Sequence, residues 1–462
     1  MKKILLIIIL IVSFQNNLLA QNFSKFNQWL LENGHTQYLK EGGKIDICST
    51  FKKNSASWLY EECGNFPEGK MRLINNLEIE TYSGRWAIPS QKDPKNRDTL
   101  IYYNYKNLFS HFNGDRNTYQ FDRYEAKPSS KIYKFNTNVK ENKFVQKEMQ
   151  KKAILSYLYF QDDHIIVDEI TPKNRFGEFV NNETKLRSNS VGKSMVSYVL
   201  GHAICEGYIE GVDSRMNDWP LVENTLYENQ KLIDLINMNA GDYKYINDSL
   251  SYGGFMGGYD TDTSSIWRTM QFFKNKKKSK PKYNYHDLLP NIVFNYILFK
   301  SGSNFQKILD KAYKEKAKIK NSVYFFKLNE RQEYGNANNM FFATRYDWLR
   351  IAKAVMDDYQ NDTCVGKYLK NIFERRIPKN VRGTDFSDPA YGDTSTYGGY
   401  FHLEYPGLKN REVLGMTGYG GQAILIDMEN SRIVMIHSIH FNNTKYKYNV
   451  RKLLIDPIKK GK

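Results

Sequence analysis

Two pairs of β-rich runs, placed far apart in the chain, most constrain how it can fold. Residues 153–160 and His164–Ile170 are rich in Ile, Val, Tyr and Phe, and a short turn of Gln and Asp residues separates them. Gln422–Asp427 and Arg432–Ser438 repeat this pattern near the C-terminus. Such runs predict β-hairpins. If both hairpins share one antiparallel sheet, the segments between them must pack against it as flanking helices and a helical subdomain, which is an α+β fold.

Helical patterns occupy the sequence between and after the hairpins. Their apolar or amphipathic periodicity predicts helices at 195–204, 232–238, 288–299, 348–356 and 446–458. Thr344 and Asp347 form a capping box at the start of the fourth of these helices. The Lys-rich segment 274–282 contains a proline and predicts an irregular loop.

The first twenty residues, 1–20, have the pattern of a secretory signal peptide. Lys2 and Lys3 form a basic start, residues 4–14 are apolar, and Ala20 ends a plausible cleavage site. The apolar run is too short to span a bilayer, and no later run is long enough. We therefore expect a periplasmic or secreted protein without a membrane span after signal removal. An uncleaved N-terminal anchor is the alternative.

After the signal peptide, the sequence divides into two parts. Residues 21–146 are polar and aromatic-rich, and they form an N-terminal extension that carries no recognisable chemical motif. From residue 147 the strand and helix patterns become clear, so residues 147–462 are the predicted main domain. A chain of this length can bury a large core.

The four cysteines are Cys48, Cys63, Cys205 and Cys364. In an oxidising compartment Cys48 and Cys63 could close a short loop. Cys205 lies within an apolar helical run, so we expect a buried free thiol there. No Cys and His spacing suits a metal ion, and we predict neither a metal nor another cofactor.

The chain is strongly basic, with a formal net charge of +17. Such a charge favours acidic partners, for example cell-wall polymers, anionic membrane surfaces or acidic substrates. A compositional drift toward Lys, Asn, Tyr and Ile is the alternative explanation. Nucleic acid is not an expected partner, because an export signal is present and no nucleic-acid-binding module can be recognised.

Ser190 and Lys193 form a Ser-x-x-Lys pair directly before the helix predicted at 195–204. A serine hydroxyl is a poor nucleophile at neutral pH and needs a base within hydrogen-bond reach, and residues three apart on a helix share a face. Lysine can be that base only if burial or a neighbouring positive charge lowers its pKa. The alternative is a serine that caps the helix beside a solvated lysine.

This segment resembles the nucleophile helix of the serine β-lactamase-like family. The family comprises class C β-lactamases, penicillin-binding DD-peptidases and the related esterases and nylon-oligomer hydrolases. The resemblance covers roughly residues 153–458 and rests on three motifs in the expected order. It implies a β-lactamase/transpeptidase-like fold in which Ser190 attacks an acyl carbon and Lys193 activates it.

Two tyrosines are candidates for the second motif of this family, Tyr-x-Asn. Tyr334 is followed by Gly and Asn and so matches the letters. Tyr285 matches the setting, because a Pro-containing loop precedes it and the helix at 288–299 follows, and we prefer it as the residue that relays protons. Asp287 stands where the family has Asn. Its carboxylate cannot donate a hydrogen bond to a substrate, but it could pair with Lys193, raise the pKa of the lysine and oppose its role as base.

Thr417 and Gly418 match the third motif, Lys-Thr-Gly, on a predicted edge strand beside the site. The resemblance implies that the Tyr419 N–H is an oxyanion donor together with the Ser190 N–H. Met416 replaces the lysine that helps to bind the substrate carboxylate in β-lactam and peptidoglycan enzymes. The glycine-rich run that follows is closer to the esterase and oligomer-hydrolase branch. An ordinary glycine-rich turn is the alternative.

Together these features predict an exported serine hydrolase that cleaves a small-molecule or peptide ester or amide. Ser190 would carry the acyl group, with Lys193 and Tyr285 as acid and base. One alternative is a DD-peptidase or β-lactamase, against which Asp287 and Met416 both count. The other is a non-catalytic cell-wall-binding protein on a degenerate hydrolase scaffold. The acyl group, the leaving group and the oligomeric state stay open.

Overall fold

The computed structural model describes residues 123–177, 180–246, 266–327, 337–379, 394–439 and 447–461, and two short strand pairs nearer the N-terminus. The chain divides into two compact units, Met1–Gln120 and Phe121–Lys462. The strand pairs of the smaller unit are Leu39–Lys40 with Lys44–Ile45 and Leu73–Ile74 with Leu77–Glu78. The larger unit begins before residue 147, where the sequence predicts the start of the main domain. The predicted signal peptide, Cys48 and Cys63 lie outside the described residues.

The strands of the larger unit form two sheets in the described part of the chain. The strands are β1 (Arg123–Ala126), β2 (Asn136–Thr137), β3 (Ile154–Gln161), β4 (His164–Ile170), β5 (Leu186–Arg187), β6 (Val323–Lys327), β7 (Ala337–Ala343), β8 (Ile377–Pro378), β9 (Thr396–Gly398), β10 (Phe401–Leu403), β11 (Val413–Gly418), β12 (Gln422–Asp427) and β13 (Arg432–Ser438). The larger sheet has the order β8-β9-β10-β11-β12-β13-β3-β4-β2, and the smaller one the order β1-β6-β7-β5. Only the pair of β2 and β4 is parallel among these neighbours.

The two predicted hairpins share one sheet, which confirms the α+β prediction. β3 of the first hairpin pairs antiparallel with β13 of the second, with Tyr157 opposite Ile436. Asp162 and Asp163 at the first turn have φ of 47° and 63°. Positive φ at both central residues gives the turn a twist that matches its flanking strands, which is why such turns join tight hairpins.

The helices lie between and after these strands. They are α1 (Lys143–Lys151), α2 (Val191–Cys205), α3 (Leu232–Ile236), α4 (Ile266–Phe273), α5 (Leu288–Ser301), α6 (Phe305–Leu309), α7 (Arg345–Gln360), α8 (Cys364–Glu374) and α9 (Asp456–Lys460). The Thr344 side chain caps α7 by accepting a hydrogen bond from the Asp347 N–H, as the capping box predicts. The Lys-rich segment 274–282 contains no helix or strand.

The C-terminal helix starts later than the sequence predicts. Residues 447–449 are not helical, and a π-helical turn, Arg451–Ile455, leads into α9. The physical reason is local: the Asn449 side chain accepts a hydrogen bond from the Lys452 N–H at 2.9 Å, and such a bond starts a helix at that residue.

Helix α2 is the central helix of the larger unit. Its residues are buried on every side from Val191 to Ala203, and it packs against β7, β11, α5 and α8. A helix with apolar residues on all of its sides is stable only when protein surrounds it. This burial places the N-terminus of α2, with Ser190, between the large sheet and the helical subdomain.

Cys205 and Cys364 form a disulfide bond, so the free thiol predicted at Cys205 is wrong. Cys205 ends α2, Cys364 begins α8, and their Cα atoms lie 5.8 Å apart. The two residues are 159 positions apart in the sequence. Only the packing of α8 on α2 brings them together, and no local pattern indicates that contact.

No helix in the described ranges is long and apolar enough to cross a bilayer. Within the same ranges, no group of three or more His, Cys, Asp or Glu side chains is arranged to hold a metal ion.

Candidate active site

Ser190 directly precedes α2 in the N-cap position, yet its side chain does not cap the helix. Its Oγ instead accepts a hydrogen bond from Lys193 Nζ at 2.8 Å. The preceding Asn189 has φ of 48°, a left-handed conformation that Asn tolerates better than most residues. Its Nδ2 donates to the Tyr419 carbonyl at 2.6 Å. These contacts tie the turn before α2 to the glycine-rich segment after β11.

Lys193 lies in the first turn of α2 with its side chain 1% exposed. Its ammonium donates to Asp287 Oδ1 as well as to Ser190, and lies 4.8 Å from the centre of the Tyr285 ring. Burial lowers the pKa of Lys193, but the Asp287 carboxylate and Tyr285 together raise it more, so the pKa is raised. The ammonium form is therefore favoured, and in that form Lys193 can only donate hydrogen bonds.

Tyr285 lies in the irregular segment before α5, with its hydroxyl hydrogen-bonded to both Ser190 and Lys193. Its ring packs edge-on against Tyr397 and lies near the His402 ring, each at 5.9 Å between ring centres. Burial raises the pKa of Tyr285, and the neighbouring ammonium only partly offsets this. The neutral phenol is therefore the favoured form.

Asp287 directly precedes α5 in the N-cap position, and its side chain makes no capping bond there. The carboxylate is 33% exposed and pairs with Lys193. From the sequence, this pairing with Lys193 is what Asp287 could do in place of a hydrogen bond to a substrate.

The end of β11 lies against the start of α2. A Cβ atom on Gly418 would stand 2.5 Å from the Ser188 carbonyl oxygen and 3.1 Å from the Ser190 nitrogen, so only glycine permits this approach. The peptide group after Gly418 carries the Tyr419 N–H. The close approach thus brings Gly418, directly before this peptide group, next to the backbone nitrogen of Ser190.

The turn after Gly418 is held from two sides. Gly420 and Gly421 have φ of 83° and 92° and lead the chain into β12. The Tyr448 hydroxyl donates to the Gly421 carbonyl at 2.6 Å, and the Gln422 side chain hydrogen-bonds the Ser438 backbone. The glycine-rich run is thus a fixed part of the scaffold.

Strand β11 is not an edge strand, contrary to the prediction, because β10 and β12 flank it. β10 has only three residues, and in the described structure it pairs with β11 only where His402 faces Gly415. β12 pairs with β11 as far as Gly418. The last residues of β11 are therefore paired with β12 alone. Only at this end does β11 resemble the edge strand that the sequence predicts.

The two residues before Gly418 are buried on opposite faces of β11. Thr417 is buried, and its hydroxyl makes no hydrogen bond to any residue in the described ranges. Met416 is also buried and lies opposite Ile424 of β12. Neither side chain presents a charge to the site.

The other second-motif candidate, Tyr334, lies outside the described residues. Asn189 and His402 belong to the site's surroundings, but the sequence does not single them out. An Asn before Ser190 is a weak signal for a left-handed turn. His402 has no local signal, because its place beside Tyr285 depends on the pairing of β10 with β11.

Solved structures share the architecture of this chain at low sequence identity. A protein from Bacillus anthracis with the provisional name 6-aminohexanoate-dimer hydrolase aligns with a TM-score of 0.57 and 12% identity, over 76% of this chain and 94% of that chain. A family VIII carboxylesterase aligns with a TM-score of 0.48 and 14% identity, over 69% and 97% of the two chains. EstCE1, a hydrolase with promiscuous acyltransferase activity, aligns with a TM-score of 0.47 and 13% identity, over 68% of this chain and 96% of that chain. The chain matches no protein-family model and no curated protein.

At 12% identity the alignment speaks to the fold and not to the activity, because one fold can host many functions. The fold that the three motifs predict is confirmed. Both hairpins lie in one sheet, helix α2 is central, and the glycine-rich end of β11 lies beside its start. The chain has the serine β-lactamase and penicillin-binding-protein fold.

Proposed function

We propose that this protein is a serine hydrolase that cleaves an ester or amide through an acyl-enzyme at Ser190. The observation that carries the proposal is the contact of Lys193 Nζ with Ser190 Oγ at 2.8 Å, with the Tyr285 hydroxyl bonded to both side chains. A nucleophile within hydrogen-bond reach of two proton-carrying groups is the arrangement that covalent acyl transfer needs.

In the proposed reaction, Ser190 Oγ forms a bond to the carbonyl carbon and its proton passes to the Lys193–Tyr285 pair. The carbonyl oxygen becomes an oxyanion, which the Ser190 and Tyr419 N–H groups and the N-terminus of α2 stabilise. The bond to the leaving group then breaks as that group takes the proton. Water attacks the acyl-enzyme in the second step, releases the acid and returns a proton to Ser190.

The charge state of the site sets a condition on this reaction. The raised pKa values of Lys193 and Tyr285 favour an ammonium and a phenol beside the Asp287 carboxylate. A protonated lysine cannot accept the serine proton, so Lys193 must lose a proton before it serves as base. Asp287 therefore opposes acylation at neutral pH, and the rate should rise as the pH rises.

The residues around the nucleophile support a substrate other than a β-lactam or a cell-wall peptide. Met416 is apolar and buried where related enzymes use a lysine to bind a substrate carboxylate. The Asp287 carboxylate beside the site repels a substrate carboxylate. A simple ester or amide has no such requirement, and the net charge of +17 supports one that is acidic away from the reacting bond.

Export to the periplasm or beyond is part of the proposal. The signal-peptide pattern supports it, and so does the Cys205–Cys364 disulfide, because disulfides persist in oxidising compartments.

A phosphonate probe read by intact mass tests the proposal. Wild type should gain one adduct, which peptide mapping should place on Ser190, and Ser190→Ala should gain none. Ser197→Ala is the matched control, because Ser197 is a buried serine of the same helix whose hydroxyl contacts Tyr368 and not the site. The idea fails if wild type is not labelled, or if Ser190→Ala is labelled equally well.

Two further measurements separate the alternatives. An adduct of a penicillin reporter on Ser190 would favour a DD-peptidase or β-lactamase. A failure to label, together with no turnover of a nitrophenyl ester, would favour a non-catalytic binding protein. Ester turnover that disappears in Ser190→Ala and Lys193→Ala would exclude the non-catalytic protein.

A further inference from the structure

Six lysines lie within the nine residues of the Lys-rich segment 274–282. Five of them are exposed, and Lys276 is partly buried. None of the six forms an ion pair in the described part of the chain, whereas Lys231, for example, pairs with Asp213 at 2.9 Å. Like charges this close together repel one another, so the run of lysines does not by itself stabilise the fold.

The backbone of the Lys-rich segment is held in place although it contains no helix or strand. The Asn275 N–H donates to the Asn224 carbonyl at 2.7 Å, and the Ser279 N–H donates to the Gly241 carbonyl at 2.8 Å. Gly241 has φ of 73°, and a Cβ atom there would collide with the Ser279 carbonyl, so only glycine permits this close approach. A segment that is already held in place loses less conformational entropy when it binds a partner.

Two of the lysines are held over aromatic rings. Lys276 Nζ lies 4.6 Å from the centre of the Phe272 ring and 5.3 Å from that of Tyr245. Lys282 Nζ lies 5.5 Å from the centre of the Tyr243 ring. Such contacts attract an ammonium group but leave its charge in place, since a ring carries no net charge. In the described ranges, no hydrogen bond, ion pair or ring contact is made by the other four side chains, those of Lys274, Lys277, Lys278 and Lys280.

A neighbouring carboxylate interacts with the Lys-rich segment without neutralising it. Asp234 is close enough to Lys278 for their charges to interact, but the same carboxylate also interacts with Lys231, Arg375 and Arg215. Four cations therefore share this carboxylate. The surface that the segment forms keeps a net positive charge.

The partner that fits such a surface is a linear polyanion. Closely spaced cations bind a polymer of closely spaced phosphate or carboxylate groups because each contact releases counterions. A lipid membrane fits less well, since basic surfaces that bind membranes are commonly reinforced by exposed apolar side chains. The large apolar side chains that are exposed in the described ranges belong to other segments, namely those of Ile132, Val139 and Phe299.

The Lys-rich segment ends beside the candidate active site. Lys282 precedes Tyr285 by three residues, so their Cα atoms are at most about 11 Å apart. Tyr283 between them is buried, and its ring centre lies 5.4 Å from that of Tyr397, which also packs against Tyr285. A polymer bound to the lysines therefore lies next to the residues that carry Tyr285.

We propose that the Lys-rich segment is a binding surface for a linear polyanion, which it holds beside the candidate active site. The exposed lysines contact the charged groups of the polymer. This binding does not depend on acyl transfer at Ser190, so it is tested independently of the proposed function.

The test is the affinity for linear inorganic polyphosphate, measured by fluorescence anisotropy of the labelled polymer at several salt concentrations. A triple variant with Lys277→Gln, Lys278→Gln and Lys280→Gln removes three exposed charges. It should weaken binding at least about tenfold, and the slope of log affinity against log salt concentration should become shallower by about two. Poly-glutamate serves as the second probe, and the polymer that binds more tightly identifies the charged group as phosphate or carboxylate.

A matched control separates the surface from the net charge of the chain. Lys143, Lys147 and Lys151 are exposed on α1, which packs against β3. Their replacement by glutamine changes the net charge equally. It should change the affinity by less than about twofold, because charges farther apart than about 8 Å are largely screened at physiological salt. Circular dichroism should show that both triple variants are folded.

The outcomes are distinct. Wild type that binds neither polymer would overturn the inference, and so would an equal loss of affinity in the two triple variants. Binding to vesicles of anionic phospholipid without binding to either polymer would identify a membrane as the partner instead. Ser190→Ala should bind polyphosphate like wild type, so a failure of the phosphonate probe to label Ser190 would overturn the proposed function and leave this binding unaffected.

Discussion

Replacement of Gly418 by alanine is the sharpest perturbation that the geometry offers. The added Cβ would stand 2.5 Å from the Ser188 carbonyl oxygen and 3.1 Å from the Ser190 nitrogen, where ordinary contact begins near 3.4 Å. Both neighbours are backbone atoms that cannot swing away. The end of β11 and the start of α2 must therefore separate by roughly 0.9 Å, which moves the two proposed oxyanion donors apart.

The expected loss follows from that displacement. Removing one oxyanion donor typically costs about 100-fold to 1000-fold in rate, or ~3–4 kcal/mol of transition-state stabilisation. A shift of nearly 1 Å should approach the lower value, so we expect labelling of Ser190 to slow about 100-fold. Overpacking should also lower the free energy of unfolding by about 1–3 kcal/mol.

The assay is the time course of phosphonate labelling by intact mass, with folded protein quantified by circular dichroism. Gly211→Ala is the matched control, because a Cβ there meets no atom within 4 Å. It should fold and label like wild type. If folded Gly418→Ala labels at the wild-type rate, the close approach of β11 to Ser190 has no part in acylation and the oxyanion assignment is refuted.

Three further predictions concern charge, the disulfide and pH. Asp287→Asn removes the carboxylate that raises the pKa of Lys193. The pH at which the labelling rate begins to rise should therefore move to a lower value. An unchanged pH profile would contradict this. The Cys205–Cys364 disulfide closes a long loop, so its loss, by reductant or by serine at both positions, should lower the free energy of unfolding by as much as about 5 kcal/mol. Urea unfolding measures this change, and equal midpoints with and without reductant would count against the prediction. Burial lowers the pKa of His202 to about 4, so the unfolded chain gains this proton before the folded protein does as the pH falls below 6.5. His202 should therefore contribute a loss of about 1.4 kcal/mol of stability per pH unit down to about pH 4. His202→Gln should remove this contribution and make the decline less steep, and identical slopes would refute it.

The sequence by itself determined the local elements and their chemistry. The β-rich runs and the turns between them predicted both hairpins, and the capping box predicted the start of α7, because these signals act over a few neighbouring residues. The spacing of Ser190 and Lys193 on one helical face predicted their contact for the same reason.

Only the tertiary structure decided the contacts between distant segments. Cys205 bonds Cys364 because α8 packs on α2, and β11 gains a neighbour because β10 is brought beside it. Asp287 meets Lys193 because the start of α5 lies against the first turn of α2. Local pattern cannot anticipate such meetings, since they depend on how whole elements pack. The Ser190–Lys193 pair could be read from four residues, whereas its charge state depends on a carboxylate 94 positions away.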